Sequence, residues 1–219
     1  MQKQKTKMIA VLAMLAAIAF LMVSFIRIPI FPGFDFLKYE PKDVIITFGG
    51  FLYGPLAAFL VSLVVSLIEM ITISHTGFIG FAMNVLSTCA FSCTAALIYK
   101  KKHTLGGAVT GLAAGTAAMA VIMILWNYLL TPLYTKMPRE EVAGILLPVI
   151  LPFNLLKGGL NGAITSLLYR PLIQGLRHAH LFPESTGSQK PKANSMIFFY
   201  IAAAVVLCAG IALIIWLNH

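Results

Sequence analysis

Long apolar runs separated by short polar segments extend along the whole chain. The runs lie at residues 8–26, 44–68, 77–99, 105–130, about 147–169, and 196–217. A helix needs about 20 mostly apolar residues to cross the hydrocarbon core of a bilayer. The pattern therefore predicts membrane-spanning helices. A cleaved signal peptide is the alternative for residues 8–26, but this run is longer than the usual apolar region of about 7–15 residues, which favours a retained helix.

The uncharged run at residues 44–68 contains two helix-breaking pairs, Gly49-Gly50 and Gly54-Pro55. If the run crosses the membrane twice, the lysines at 100–102 fall on the same side as the N-terminal lysines, as the positive-inside rule requires. We therefore predict two helices here. The first, at residues 41–53, reaches only about 20 Å and must lie within protein or end part-way across the membrane.

Composition agrees with a membrane protein. Hydrophobic residues make up 59% of the chain and charged residues 11%, against roughly 45–50% and about 25% in soluble domains. A soluble enzyme, a disulfide scaffold and a disordered regulator are excluded. The net charge of +9 is assigned to cytoplasmic loops and not to a nucleic-acid-binding face.

These patterns predict an all-α, multi-pass membrane protein with seven helices. We expect a six-helix core at residues 1–176, a cytoplasmic linker at 177–195 and an extra C-terminal transmembrane helix at 196–219. The N-terminus is expected in the cytoplasm and the C-terminus outside. Glu40, Lys42 and Asp43 are then outer-loop charges, and Glu69 is expected at the membrane interface.

Common enzyme signatures are missing from the sequence. It contains no G-x-x-x-x-G-K-[ST], H-E-x-x-H or G-x-S-x-G motif, so it lacks a nucleotide-binding P-loop and predicts no catalytic residue. Glu140-Glu141 are interpreted as solvated loop charges. His178 and His180 have no third ligand nearby, so we predict no metal site.

Polar residues within the predicted spans are the candidates for function, because each is costly in hydrocarbon. Asn154, Lys157 and Asn161 follow the spacing i, i+3 and i+7, which places them on one helix face. Lys157 lies too far inside the run to reach the headgroups easily, so we expect it to face a ligand cavity. The alternative is a hydrogen-bonded helix contact, aided by Gly158 and Gly162.

Asn127 lies between Trp126 and Tyr128 in the fifth span. With Asn154 and Lys157 it forms a set suited to a neutral, planar heterocycle with carbonyl and imide edges. One cation and no carboxylate nearby argue against a cationic ligand. Taken alone, the two aromatic residues are more typical of an interfacial belt. Asn84 is a weaker candidate, either for the site or for a helix contact.

Two stripes of small residues are suited to close helix packing. One contains Gly107, Gly111 and Gly115, and the other contains Ala13 and Ala17. Either stripe can form an internal contact or face a partner subunit, and the spacing does not distinguish them.

Five stretches resemble a known family: FLKYEPKD at 36–43, GGFLYGP at 49–55, Met83-Asn84, WNY at 126–128 and LPFNLLKGGLN at 151–161. They resemble the riboflavin-specific substrate-binding subunit of energy-coupling-factor vitamin transporters, over about residues 8–176. The resemblance implies six core helices. It also implies a vitamin pocket near the outer face, closed by the loop between the first and second helices. The seventh helix departs from this pattern and has no functional assignment.

The resemblance further implies roles for individual residues. Asn127, Asn154 and Lys157 would bind the isoalloxazine ring, with Asn84 as a further candidate. Ala13 and Ala17 would face a transmembrane coupling subunit, and two cytoplasmic ATPases would supply energy.

We therefore expect a non-enzymatic, riboflavin-binding subunit in the bacterial cell membrane, with riboflavin as its transported ligand and no other cofactor. The alternatives are a subunit for another vitamin, such as thiamine or biotin, and a facilitator that works alone.

Overall fold

A computed structural model describes residues 2–34, 36–178 and 193–217. Eight α-helices, a two-stranded hairpin and one π-helical turn follow each other in the order α1 (Gln2–Phe25), β1 (Ile28–Pro29), β2 (Lys38–Tyr39), α2 (Lys42–Tyr53), α3 (Pro55–Thr72), α4 (Gly77–Lys101), α5 (Leu105–Thr135), α6 (Arg139–Ile145), the π turn (Leu146–Ile150), α7 (Leu151–His178) and α8 (Ala193–Leu217). Within these residues, six stretches are long and apolar enough to cross a membrane: Gln4–Phe25, Pro55–Thr72, Gly77–Lys101, Leu105–Leu133, Arg139–Gly175 and Tyr200–Leu217. With the shorter α2, they confirm the predicted fold class. The linker predicted at 177–195 falls mostly outside the described residues, and the division into domains stays a prediction.

The predicted break in the run at 44–68 occurs at Gly54. This residue has φ +91°, a conformation that favours glycine, and Pro55 begins α3. The resulting α2 has 12 residues, which gives a length of about 18 Å. It contacts α1, α3, α4 and α7, and nine of its residues are buried. As expected from its length, α2 lies within protein.

The two stripes of small residues have different surroundings. A Cβ atom on Gly111 would lie 2.7 Å from the Ala95 carbonyl oxygen of α4, and one on Gly115 would clash with the Phe91 carbonyl oxygen. The glycine stripe is therefore an internal contact between α4 and α5. Ala13 and Ala17, in contrast, are exposed on α1.

The segment between α5 and α7 is more helical than the sequence predicts. Helix α5 continues to Thr135, and α6 leads through the π turn directly into α7. Pro148 lies in this turn and has no amide hydrogen to donate, which favours an irregular turn there. Glu140 and Glu141 are exposed, as expected of solvated charges, but they lie in the first turn of α6 and not in a loop.

The loop between α1 and α2 folds as a hairpin in which Ile28 pairs with Tyr39 and Pro29 with Lys38. Its apolar face joins a cluster with the π turn and α7, which we call the hairpin cluster: Ile30, Leu37, Tyr39, Ile150, Phe153 and Leu160. The Tyr39 hydroxyl donates a hydrogen bond to Asn161 Oδ1 at 3.0 Å. Burial, together with the nearby Asp43 carboxylate, raises the pKa of Tyr39, which keeps this donor protonated.

Six charged side chains between the hairpin and the helices form a group that we call the ion cluster: Arg27, Glu40, Lys42, Asp43, Glu69 and Lys157. The Lys42 ammonium is fully buried and lies 2.5 Å from Glu69 Oε1 and 2.8 Å from Glu40 Oε2. Arg27 Nε lies 3.1 Å from Glu40 Oε1. Burial alone would raise the pKa of Glu40, but Lys42, Lys157 and Arg27 outweigh burial and hold it below the ordinary value.

Asp43 connects the ion cluster to α4 and α7. Its Oδ1 accepts a hydrogen bond from Thr88 Oγ1 at 2.7 Å, and its Oδ2 accepts one from Asn161 Nδ2 at 3.2 Å. The same Oδ2 lies 3.5 Å from the Lys157 ammonium. This carboxylate therefore links α2 to two neighbouring helices.

These charges are buried inside the protein, which the sequence did not predict. Glu69 was predicted at the membrane interface, and Glu40, Lys42 and Asp43 in an outer loop. All four are buried. Charge counts indicate the side of the membrane on which a segment lies, but not whether folding of the loop brings its charges together inside the protein.

Glu69→Gln tests the ion cluster. It removes one charge from a fully buried pair, so we expect it to lower the free energy of unfolding by about 3 kcal/mol. Glu141→Gln is the control, because Glu141 is exposed. Thermal denaturation in detergent compares the two variants, and equal midpoints would contradict the stabilising role of the buried pair.

Candidate ligand-binding cavity

A cavity of about 630 Å³ lies between the hairpin and the helices. Its walls come from the hairpin, the loop between α3 and α4, and helices α4, α5 and α7. Sites for small molecules commonly have volumes of about 300–1,000 Å³. The cavity is large enough for a ligand with several rings.

The four residues predicted to bind substrate all line this cavity. Asn84 comes from α4, Asn127 from α5, and Asn154 and Lys157 from α7. The fold thus brings together polar residues that lie far apart in the sequence. Their contact with a ligand stays a prediction.

Asn154 presents an unused acceptor. Its Nδ2 donates to the Ile150 carbonyl oxygen at 2.8 Å, which fixes the amide plane. Its Oδ1 is buried without a hydrogen-bond partner among the described residues, and only 1% of the residue is exposed. An unmet buried acceptor costs about 1–3 kcal/mol. A ligand with an N–H group would remove that cost.

Lys157 has donors left for a ligand. Its ammonium lies 3.5 Å from Asp43 Oδ2, which is longer than the roughly 2.7–2.9 Å of a strong charge-assisted hydrogen bond. An ammonium carries three N–H donors. Because Lys157 also lines the cavity, it can donate to a carbonyl oxygen of a ligand and keep its ion pair.

The other two amides are partly used within the protein. Asn127 Nδ2 donates to the Met123 carbonyl oxygen at 2.7 Å, and its Oδ1 accepts from Thr131 at 3.0 Å. Asn84 Nδ2 donates to Glu69 Oε2 at 3.1 Å. An amide has two N–H donors and two lone pairs, so each side chain retains capacity for a further hydrogen bond.

The polar face of α7 combines the two predicted roles, a ligand site and a hydrogen-bonded helix contact. Asn154 and Lys157 line the cavity. Asn161, one turn further, is fully buried and bonds to Tyr39 and Asp43. The face therefore serves the cavity near the N-terminal end of α7 and the helix contacts one turn further along.

The flat apolar surface of the cavity comes from residues that sequence reasoning did not select. Phe36 and Phe153 line it, together with Met83 and Met123. Trp126 and Tyr128 do not belong to its lining, and Tyr128 is 37% exposed. A belt role therefore suits these two. The signal for Phe36 and Phe153 was present, since each lies in a stretch that carries the family resemblance.

The expectation that no carboxylate lies near the site was wrong. Glu40 lines the cavity, and Asp43 pairs with Lys157. Three acidic and three basic residues make up the ion cluster, so its formal charges cancel. Lys38 also lines the cavity and lies outside the ion cluster, so the wall carries an excess of positive charge that disfavours a cationic ligand.

Comparison with known proteins assigns the family. Residues 7–169 match the family described as ECF transporter, substrate-specific component. "Riboflavin transporter FmnP" of Bacillus subtilis is 32% identical over 190 residues, which cover 81% of this chain and 99% of that protein. "Riboflavin transporter RibU" of Staphylococcus aureus is 32% identical over 180 residues, covering 80% and 94%.

A solved structure leads to the same family. It is described as "Structure and mechanism of the S component of a bacterial ECF transporter" and superposes with a TM-score of 0.67 at 32% identity, covering 79% of this chain and 99% of the other. Sequence and fold therefore indicate the same family. The chain is a multi-pass membrane protein that belongs to the substrate-specific components of ECF transporters.

Proposed function

We propose that this chain binds riboflavin in the cavity and delivers it for transport. The observation that carries the proposal is the buried, unpartnered Oδ1 of Asn154. The pyrimidine edge of the isoalloxazine ring offers an imide N–H between two carbonyl oxygens. The N–H suits Asn154 Oδ1, and a neighbouring carbonyl suits the Lys157 ammonium.

The remaining walls suit the rest of the ring. Phe36, Phe153 and the two methionines provide flat, apolar and polarisable surface. Riboflavin is uncharged, in keeping with the balanced ion cluster. Relatives that are named riboflavin transporters and are 32% identical to this chain support the same ligand.

We place the cavity on the outer side of the membrane. The hairpin and the cavity lie at the end of α1 that follows Phe25, whereas Lys5 and Lys7 lie at its other end. Lysines near helix ends favour the cytoplasmic side. A ligand captured from outside would therefore enter next to the hairpin.

Binding is tested with the purified chain in detergent. We expect it to quench riboflavin fluorescence, and we expect that neither thiamine nor biotin displaces the flavin. Thiamine carries a fixed positive charge, which the basic residues of the cavity wall disfavour, and biotin lacks the imide N–H between two carbonyl oxygens that Asn154 and Lys157 would bind. A chain that does not quench, or that binds thiamine or biotin instead, would disprove the proposed ligand.

Asn154→Leu and Lys157→Ala test the assigned contacts. Removing the Asn154 acceptor should weaken riboflavin binding by about 1–2 kcal/mol, and removing the ammonium by about 1.5–3 kcal/mol. Leu155→Ala and Lys100→Ala are the controls, since both side chains are exposed. Titration of flavin fluorescence gives the four dissociation constants. Affinity equal to that of the unchanged chain would remove the altered residue from the site.

We propose that transport energy comes from partners, because the sequence lacks a nucleotide-binding P-loop. The partners are a transmembrane coupling subunit and two cytoplasmic ATPases. The exposed Ala13 and Ala17 on α1 form a small-residue face on which a partner helix can pack closely. Helix α8 packs along α7, so it does not occupy the face of α1 that carries Ala13 and Ala17.

Ala17→Trp tests this surface. A bulky ring should block close helix approach, so we expect loss of co-purification with the coupling subunit while riboflavin binding is retained. Ala204→Trp is the matched control, because Ala204 is exposed on α8. Assembly by Ala17→Trp, or riboflavin uptake by vesicles that contain this chain alone, would contradict the proposed coupling.

A further inference from the structure

Helix α8 lies outside the part of the chain that matches the family, since this match ends at residue 169. It packs along α7, and only 11% of its residues from Tyr200 to Leu217 are buried. Any effect of α8 on the rest of the protein must therefore come from these few buried residues.

One of these contacts depends on a glycine. A Cβ atom on Gly210 would lie 2.7 Å from Leu160 Cδ2 and 3.1 Å from Leu156 Cδ1. Glycine lets two membrane helices approach closely at such positions. The approach brings α8 against the part of α7 that carries the hairpin cluster.

Three side chains of α8 face this cluster. Leu207, Ile214 and Leu217 pack against the group in which the hairpin meets α7. They follow the spacing i, i+7 and i+10, which places them on one side of the helix. Helix α8 thus supports the hairpin cluster along its contact with α7.

The same hairpin forms part of the cavity wall. Phe36, Leu37 and Lys38 line the cavity, and so does Phe153 of α7. Leu37 and Phe153 are also members of the hairpin cluster. A shift in this cluster would therefore move the wall of the cavity.

The hairpin is too short to hold its own position. It contains two residue pairs, and a two-stranded hairpin alone is marginally stable in water at best. Its position depends on the ion cluster on one side and on the hairpin cluster on the other. Loss of support from α8 would weaken the second of these anchors.

We infer that α8 is a positioning element, in which Leu207, Ile214 and Leu217 hold the hairpin against α7 and thereby slow the exchange of ligand from the cavity. The identity of the ligand rests on the proposed function, whereas the effect on the hairpin does not. The additional helix would then adjust the lifetime of the bound state without contributing a residue that lines the cavity.

Ile214→Ala in the full chain tests the inference, with Ile215→Ala as the matched control. The two residues are adjacent and lose the same atoms, but Ile215 is 54% exposed. Hydrogen–deuterium exchange of residues 28–39 is measured first, without ligand. We expect faster exchange in Ile214→Ala, and exchange at the rate of the unchanged chain in Ile215→Ala.

Riboflavin release is then measured by stopped-flow fluorescence. We expect the dissociation rate constant to rise about tenfold in Ile214→Ala, the factor that corresponds to about 1.4 kcal/mol, and to stay the same in Ile215→Ala. Leu207→Ala repeats both measurements if Ile214→Ala does not fold.

The outcomes separate the two proposals. Equal hairpin exchange in all variants overturns the inference, whether or not riboflavin binds. Faster hairpin exchange with an unchanged release rate also overturns it, because the hairpin would then not limit release. A chain that binds no riboflavin overturns the proposed function alone, and the exchange rates still decide whether α8 positions the hairpin.

Discussion

The buried contact of Lys42 with Glu40 and Glu69 determines how the hairpin end of this protein is arranged. A buried ammonium must be paired, because its separation from water costs several kcal/mol that only close carboxylates and hydrogen bonds offset. One of its partners follows the hairpin, and the other lies near the end of α3. The start of α2, the hairpin and α3 are therefore fixed to each other at one point.

This arrangement also shapes the cavity. The ion cluster pairs its own charges, and Lys38 of the hairpin adds a positive charge to the wall of the cavity next to it. Helix α7 serves both regions, because Asn161 bonds to Asp43 while Asn154 keeps an unused acceptor next to the cavity. A small change in the register of α7 would disturb the ion cluster and the cavity together.

Much of this was predictable because it depends on local properties of the chain. The break at Gly54-Pro55 follows from backbone chemistry, and the shared face of Asn154 and Lys157 follows from helical periodicity. The burial of Glu69 was not predictable in this way, since it depends on Lys42 approaching from another segment. The same holds for the aromatic wall, because Phe36 reaches the cavity only after the loop folds as a hairpin. Periodicity indicates how far along a helix a residue lies and on which face. It does not indicate which residue of another helix or loop it will contact.

The buried bonds also indicate which part of the molecule can move. Asp43 joins α2 to α4 and α7 through Thr88 and Asn161, and Arg27 ties the end of α1 to Glu40. Separation of these helices would expose unpaired charges to hydrocarbon, at a cost well above that of moving the tip of the hairpin, which lies beyond the ion pair of Arg27 with Glu40 and is held by the apolar contacts of Ile30 and Leu37. The tip of the hairpin is thus a part of the cavity wall that can move without breaking an ion pair. Additional packing on the hairpin cluster, including that of α8, therefore affects how easily the cavity opens.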